Sequence, residues 1–311
     1  MTSDKQENNM TYRPDVVIYH DKCMDGFTAA WAIWKRWGDA SEYVARNYGM
    51  EPEIDLQGKH VLIVDFSFPE ETLRGMAADG AASVVILDHH KTAQADLEPF
   101  QCVERAPGEL SPCDVPGMLR DLADLNRPPI IALFDMERSG AGMAWDFANS
   151  DAELRRPRPM LVNLVEDRDL WRFDMGDSSK YLHLALTSDA ATFERWDEVD
   201  YNTEDFVERG HAIAAYRDML VSEIADRATV VVIGGEYGMG VDCPYSLASD
   251  VCHHLLQTWP DTRFAAAIVR GEQNVSYSLR SQDNRADVSA LAKKFGGGGH
   301  RNAAGFKAPR A

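Results

Sequence analysis

The hydrophobic pattern of the chain contains three short apolar runs that each end in an acid or an imidazole. Asp15-Val-Val-Ile-Tyr-His20 ends in His20, with Asp21 and Asp25 close behind. His60-Val-Leu-Ile-Val-Asp65 ends in Asp65, and Ser83-Val-Val-Ile-Leu-Asp-His-His90 runs into Asp88, His89 and His90. Runs of this length and β-branched content predict strands buried on both faces, as in a parallel sheet. After the first run, Gly26 lies near the start of a helix with Ala30, Ile33, Trp34 and Trp37 at helical spacing, its tryptophans facing the core. Phe66-Ser-Phe-Pro-Glu-Glu71 reads as a loop opening a short helix, with Ser67 as N-cap and Pro69 in the first turn. Strand, helix, strand at this spacing is a βαβ unit.

Further along, residues 1–13 read as a frayed polar tail and residues 91–130, with several prolines, as a loop-rich excursion of no assigned role. Helical periodicity returns from Ser139 to Phe147. Met160 to Val165 reads as helix or short strand and leads into Glu166-Asp167-Arg168-Asp169. Residues 203–226 predict one long helix with Ile213, Tyr216, Leu220 and Ile224 as its apolar stripe. A second β-rich stretch begins at Ala228. Phe264–Arg270 and Val275–Arg280 read as a hairpin, Asp287–Lys294 as a short helix, and Phe295-Gly-Gly-Gly-Gly-His300 follows. The expected fold class is α/β. A mostly parallel N-terminal sheet with helices on both faces (14–190) is followed by a helical connector (191–227) and a smaller C-terminal α/β domain (228–311).

Composition narrows the function. The chain has 311 residues and is 45% apolar, enough for a substantial core in one large or two smaller domains. A net charge of −18 argues against a wide basic surface gripping long duplex nucleic acid. Small anionic ligands stay open where a local metal or arginine cluster reverses the field. The five cysteines, Cys23, Cys102, Cys113, Cys243 and Cys252, lack zinc-ribbon spacing. With no secretory signal before the first strand and no apolar run of membrane-spanning length, the expectation is a soluble cytoplasmic protein with reduced thiols and no membrane partner.

Three strand ends delivering Asp and His from one side of a sheet suit a hard or borderline divalent metal. They lie where open α/β sheets place their chemistry. Gly26 allows close backbone approach to a ligand at a helix N-terminus. The glycine run ending in His300 can form a nest of bare amides for a phosphate or other anion. His253 and His254 form a second pair within an apparent helix and read as structural; His60, His183 and His211, with Cys102 and Cys113, read as incidental.

Together the Asp88-His89-His90 triplet, the strand-end acids and the terminal Gly-Gly-Gly-His300 resemble the DHH phosphoesterase superfamily with its DHH-associated C-terminal domain. The likeness covers roughly residues 15–175 and 230–308 and points to the branch of oligoribonucleases and phosphoadenosine phosphate phosphatases. It implies a phosphoesterase with two divalent ions, usually Mn²⁺, with Mg²⁺, Fe or Zn as alternatives, and a site in the cleft between the domains. It implies metal ligation by His20, Asp25, Asp65, His89 and Asp167, with Asp65 bridging both ions. Asp88 would orient the histidines or ligate, and His90 would contact the phosphate or act as an acid. Arg280, Gly297, Gly298, Gly299 and His300 would hold the substrate's phosphate or base.

The first motif departs from the family pattern. Cys23 stands where members commonly carry an acid, and His20 is displaced by one residue. Asp21 or Cys23 is therefore an alternative first-site ligand, the latter favouring Fe or Zn over Mn. Asp169 is the alternative to Asp167, and Arg138 and Ser139 are further candidates. The implied substrates are oligoribonucleotides attacked exonuclease-fashion, or linear or cyclic dinucleotides. A 3′-phosphoadenosine 5′-phosphate phosphatase or a catalytically weakened nucleotide sensor is the alternative, and self-association is left open.

Overall fold

The computed structural model describes residues 11–101, 110–150 and 156–310. Its contacts divide the chain into two compact units, Met1–His211 and Ala212–Ala311. In the first unit, β1 (Val16–His20), β2 (Glu42–Arg46), β3 (His60–Val64), β4 (Ser83–Asp88) and β5 (Ile130–Phe134) form a wholly parallel sheet in the order β2-β1-β3-β4-β5. Between them and after them come α1 (Met24–Trp37), α2 (Glu70–Ala78), α3 (Lys91–Asp96), α4 (Val115–Asp124), α5 (Gly140–Ala148), α6 (Met160–Asp169), α7 (Ser178–Thr187), α8 (Phe193–Tyr201) and α9 (Thr203–Ala225).

Strand side chains alternate between faces, so each apolar run feeds two cores. Val17, Leu62, Val64, Val85, Leu87 and Leu133 join Trp31 of α1, Trp145 of α5 and Trp196 of α8 in one cluster. Val16, Ile18, Val61, Ile63, Val84 and Ile86 join Leu73 and Met76 of α2 on the other face. Continuous apolar runs were needed because both faces are covered. In this strand order the chain turns outward in opposite directions from β1 and β3, which makes the gap beyond their C-terminal ends a topological switch point, the crevice where such sheets place ligands.

Several expectations need correction. Residues 91–130 are not merely irregular: α3 and α4 lie within them, and β5 follows at once as the edge strand paired to β4. Cys102 lies outside the described residues. Residues 1–10 lie outside them too, but Tyr12 is no frayed tail, being 4% exposed with its hydroxyl donating to the Val61 carbonyl at 3.1 Å. Ser67 does not cap α2; its hydroxyl donates to the Phe68 carbonyl, and Pro69 itself holds the N-cap position. Met160–Val165 is helical, part of α6. On α9 the buried positions are Thr203, Phe206, Gly210, Ala214, Val221 and Ala225, while Tyr216 points outward at 62% exposure.

The second unit is a six-stranded sheet of β6 (Thr229–Ile233), β7 (Glu236–Asp242), β8 (Ala265–Arg270), β9 (Asn274–Arg280), β10 (Gly298–His300) and β11 (Ala303–Pro309), with α10 (Ala248–Thr258) and α11 (Val288–Lys293). Its order is β10-β11-β9-β8-β7-β6, and only the β7–β8 pair is parallel. The glycine run is not an open loop: it enters the β10–β11 hairpin. A Cβ on Gly297 would stand 2.1 Å from the Gly305 carbonyl, so close backbone approach accounts for that glycine. Among the described residues no helix is long and apolar enough to cross a membrane.

Packing within the first unit yields one test. A Cβ on Gly210 of α9 would lie 1.8 Å from the Tyr181 carbonyl of α7. Gly210→Ala is expected to lower stability in urea by about 1–3 kcal/mol through overpacking, although alanine is the better helix former. A midpoint equal to or above the parent's would show that α9 does not press on α7 here.

Candidate metal centre

Beyond the C-terminal ends of β1, β3 and β4, His20, Asp65, Asp88, His89 and His90 meet the N-termini of α1 and α5. Two glycines make the approach possible. A Cβ on Gly26 would lie 2.5 Å from the His20 carbonyl, and one on Gly140 would lie 2.4 Å from the Asp65 Cβ. With those contacts open, Asp25 of α1 accepts from the Gly140 amide (2.5 Å) and the Ala141 amide (3.0 Å). A carboxylate thus meets the first amides of α5, where the helix dipole favours it. Ser139 caps the same helix, and its own amide donates to Glu166 Oε2 at 3.0 Å.

Asp65 is the centre of the cluster and is 1% exposed. Its backbone sits at φ +62°, a left-handed conformation that costs a non-glycine residue roughly 1–2 kcal/mol. Strain of this kind persists where surrounding structure over-determines it, and it concentrates at functional sites. Its two oxygens face different partners. Oδ1 lies 3.0 Å from His89 Nε2, which is itself 3.6 Å from Asp25 Oδ2 and 3.6 Å from Asp169 Oδ2. Oδ2 lies 3.3 Å from His20 Nδ1 without hydrogen-bond alignment, and Cys23 Sγ lies within 4.8 Å of a His20 ring nitrogen and an Asp65 carboxylate oxygen.

Charge is out of balance here. Burial, and then the charges of Asp65 and Asp169, hold the Asp25 carboxyl well above the ordinary range. Burial would raise Asp65 too, but the neighbouring imidazoles of His20 and His89 overcome it and hold that carboxyl low. Burial would lower His89, and the bond and charge of Asp65 reverse the direction. Among the described residues no lysine or arginine forms an ion pair with Asp25 or Asp65. Three carboxylates beside imidazoles, with a buried unpartnered oxygen on Asp65, fit divalent cations.

Around this cluster the other candidates take distinct places. Asp88 is fully buried, and its Oδ1 accepts from the amides of His89 (2.7 Å) and His90 (3.2 Å) and meets His90 Nδ1 at 2.7 Å. That hydrogen bond, ahead of burial, is the main reason His90 holds its proton above the usual histidine range. Asp167 does not join the grouped donors: its Oδ1 accepts the Asp174 amide at 2.8 Å and its buried Oδ2 is unpartnered. Asp169 does join them. Asp21 lies outside the grouped donors, with its amide bonded to the Arg46 carbonyl. Arg138 turns into a support network, with Nε 2.6 Å from Asp135 and Nη1 2.8 Å from Asp146, which Arg158 also grips. In the second unit, register places Arg280 and His300 on either side of Ala303. His253 and His254 lie on α10, His253 bonded to Gln257.

Sequence reasoning missed two features. The Tyr48 ring lies edge-on to His20 (5.3 Å) and to His90 (6.0 Å) while remaining 54% exposed. A cavity of about 230 Å³ beside the cluster is lined by Lys22, Cys23, Asp25, Arg168, Asp169 and Trp171, among others. The apolar, exposed Trp171 after two acids was the available signal.

No family model matches the chain. An uncharacterised protein of Acanthamoeba polyphaga mimivirus is 28% identical over 338 residues, 98% of this chain and 70% of that protein. Among solved structures, the DHH domain of a member of a ribosomal protein family is similar with a TM-score of 0.51 at 14% identity, covering 96% of this chain and 83% of that one. A pGpG-specific phosphodiesterase from Vibrio cholerae aligns with a TM-score of 0.49 at 12% identity over 94% and 93% of the two chains. The likeness to the DHH-domain structure shows that this chain shares its α/β fold.

The cluster can be tested through stability. In metal-free protein, Mn²⁺ at a hundredfold its Kd is expected to add about 2.7 kcal/mol to stability, removed by EDTA. Asp169→Asn should shrink that gain, and Asp167→Asn should leave it intact while loosening the loop at Asp174. The reverse result would make Asp167 the ligand. A second expectation concerns Asp146: burial alone would raise it, but the bonds and charges of Arg158 and Arg138 hold it low. Such a carboxyl contributes stability above its unfolded pKa, near 4, that is lost as pH falls through the folded value. Asp146→Ala should therefore cost about 2 kcal/mol at neutral pH and less below about pH 4. A penalty constant with pH would dismiss the ion pair as its source.

Proposed function

We propose that the chain is a divalent-metal-dependent phosphoesterase acting on short nucleotides, either oligoribonucleotides or linear or cyclic dinucleotides. One observation carries the reading. The buried carboxylate of Asp65 turns Oδ1 to His89, whose Nε2 also meets Asp25 and Asp169, and Oδ2 to His20, with Cys23 Sγ grouped beside His20 and Asp65. A shared carboxylate between two donor sets suits a pair of cations, the arrangement used for in-line displacement at phosphorus. The DHH-domain fold and the Asp88-His89-His90 triplet at a strand end support the same reading.

When bound, the two ions would activate water and neutralise phosphoryl oxygens. The chain's own groups do the rest. Asp65, His89, Asp25 and Asp169 would hold one ion, and His20 with Asp65 the other. Asp88 fixes the His90 ring through Nδ1, so that Nε2 is left to donate a proton to a phosphate oxygen or a departing alkoxide. In the second unit we assign substrate contact to Arg280, Gly297, Gly298, Gly299 and His300. Arg280 hydrogen-bonds to Ser278, Leu279 and Ser249, all neutral partners, so its charge stays available for an anion.

The test is hydrolysis of a dinucleotide, a short RNA, a cyclic dinucleotide, phosphoadenosine phosphate and pyrophosphate, each with Mn²⁺, Mg²⁺ or EDTA. Metal-dependent cleavage of a nucleotide is expected, with Asp65→Asn lowering kcat by at least about a hundredfold and Asp88→Asn costing about 10–100-fold. Arg280→Ala should act mainly on KM. Equal kinetic lesions for Asp65→Asn and Arg280→Ala, or EDTA-resistant cleavage, would sink the mechanism.

A further inference from the structure

The two oxygens of Asp65 look onto donor sets of different chemical character. Oδ1 meets His89 Nε2, and that imidazole is grouped in turn with carboxylate oxygens of Asp25 and Asp169. Oδ2 faces His20 Nδ1 at 3.3 Å, and a ring nitrogen of His20, Cys23 Sγ and a carboxylate oxygen of Asp65 all lie within 4.8 Å of one another. Neither Asp65 Oδ2 nor His20 Nδ1 has a hydrogen-bond partner, although both atoms are buried and Asp65 is 1% exposed. Their 3.3 Å separation matches that of two ligands each about 2.0–2.1 Å from a shared tetrahedral ion. Asp88 Oδ2 and Asp167 Oδ2 are also unpartnered, but neither has two further donors grouped with it.

The sulfur is fixed by the backbone. Cys23 holds the N-cap position of α1 in extended conformation; its thiol faces the Gly26 amide but forms no side-chain cap hydrogen bond. An N-cap is normally a residue whose oxygen takes such an amide, so the thiol is not explained by helix capping. It is not explained by a disulfide either, since Cys23 is unbridged.

We infer that Cys23 is a metal ligand, completing with His20 and Asp65 a mixed sulfur, nitrogen and oxygen site that selects a borderline ion such as Zn²⁺, Co²⁺ or Fe²⁺ over Mn²⁺. This rests on the reading of the cluster as a metal centre. On binding, the thiol proton leaves to solvent and a sulfur–metal bond forms, with no change of oxidation state. A soft thiolate raises affinity for these ions far more than for Mn²⁺, and the all-oxygen-and-imidazole set beside it lacks that preference. The protein would then hold two unlike ions.

Cobalt provides a readout independent of turnover. The whole chain, freed of metal and titrated with Co²⁺, should develop a thiolate-to-cobalt charge-transfer band in the near ultraviolet. Cys23→Ser and Cys23→Ala should lose the band, with far-ultraviolet circular dichroism confirming the fold. Cys23→Asp, which puts a carboxylate in place of the sulfur, should also lack the band and shift the Zn²⁺-to-Mn²⁺ affinity ratio toward Mn²⁺ by at least about tenfold. A band that persists in Cys23→Ser, or that never forms in the parent, overturns the inference. Because the band does not depend on hydrolysis, its presence in a protein that cleaves nothing would leave the site standing and remove the phosphoesterase reading. Mn²⁺-dependent hydrolysis without the band would do the opposite.

Discussion

A carboxylate buried at the end of a central strand, with no lysine or arginine paired to it among the described residues, sets the terms for everything around Asp65. Asp25 is equally buried, Asp169 stands near, and the side chains that meet these carboxylates are imidazoles. Burying like charges this closely is costly unless a proton or a metal intervenes. Burial and the neighbouring charges accordingly push the Asp25 carboxyl well above its ordinary range, while His20 and His89 hold Asp65 low. A divalent ion would relieve this repulsion, which is why the same geometry that is unfavourable in isolation is suited to cation capture.

Holding this arrangement takes structure that does no chemistry. Gly26 and Gly140 let two helix N-termini close on the strand ends, and the amides of Gly140 and Ala141 then stabilise Asp25 in the position that crowds Asp65. Behind α5, Glu166 takes the Ser139 amide and is itself gripped by Arg158, which also binds Asp146 beside Arg138. Arg138 and Ser139 thus serve the site by fixing the helix that fixes Asp25. Placing the basic residues in this outer layer leaves the inner cluster uncompensated.

How much of this could be read beforehand depended on whether a feature was local. The parallel strands were legible because strands buried on both faces leave continuous apolar runs, and His20, Asp65 and Asp88 could be placed at their ends for the same reason. β5 was not, although Ile130-Ile-Ala-Leu-Phe134 is as apolar as the others, because the prolines just before it suggested a loop. The choice between Asp167 and Asp169 was not legible either. Two residues apart on a helix point about 200° away from each other, so only one can face His89, and the sequence does not say how α6 is rotated. Tyr48 and the cavity at Trp171 arise from segments distant in sequence, so no periodicity announces them. The glycine run was legible as a place of close approach, but the approach is made by the chain's own Gly305 strand.

The difference between the two sides of Asp65 has a simple origin in chain order. One side is reached from a strand end and a helix cap, positions that are filled here by His20 and Cys23; the other is reached from the first turn of α1, the β4 end and the last turn of α6, filled by Asp25, His89 and Asp169. Because separate backbone elements supply the two sets, a change in one donor type need not disturb the other. Asp65 links the two sets, since one of its oxygens meets His20 and the other meets His89. An extended residue at the end of β3 would continue the strand direction, whereas the turn at Asp65 swings the side chain across the switch point to where α1, β1 and β4 converge. Strain at one residue thus accompanies a carboxylate whose two oxygens meet imidazoles delivered by different strands.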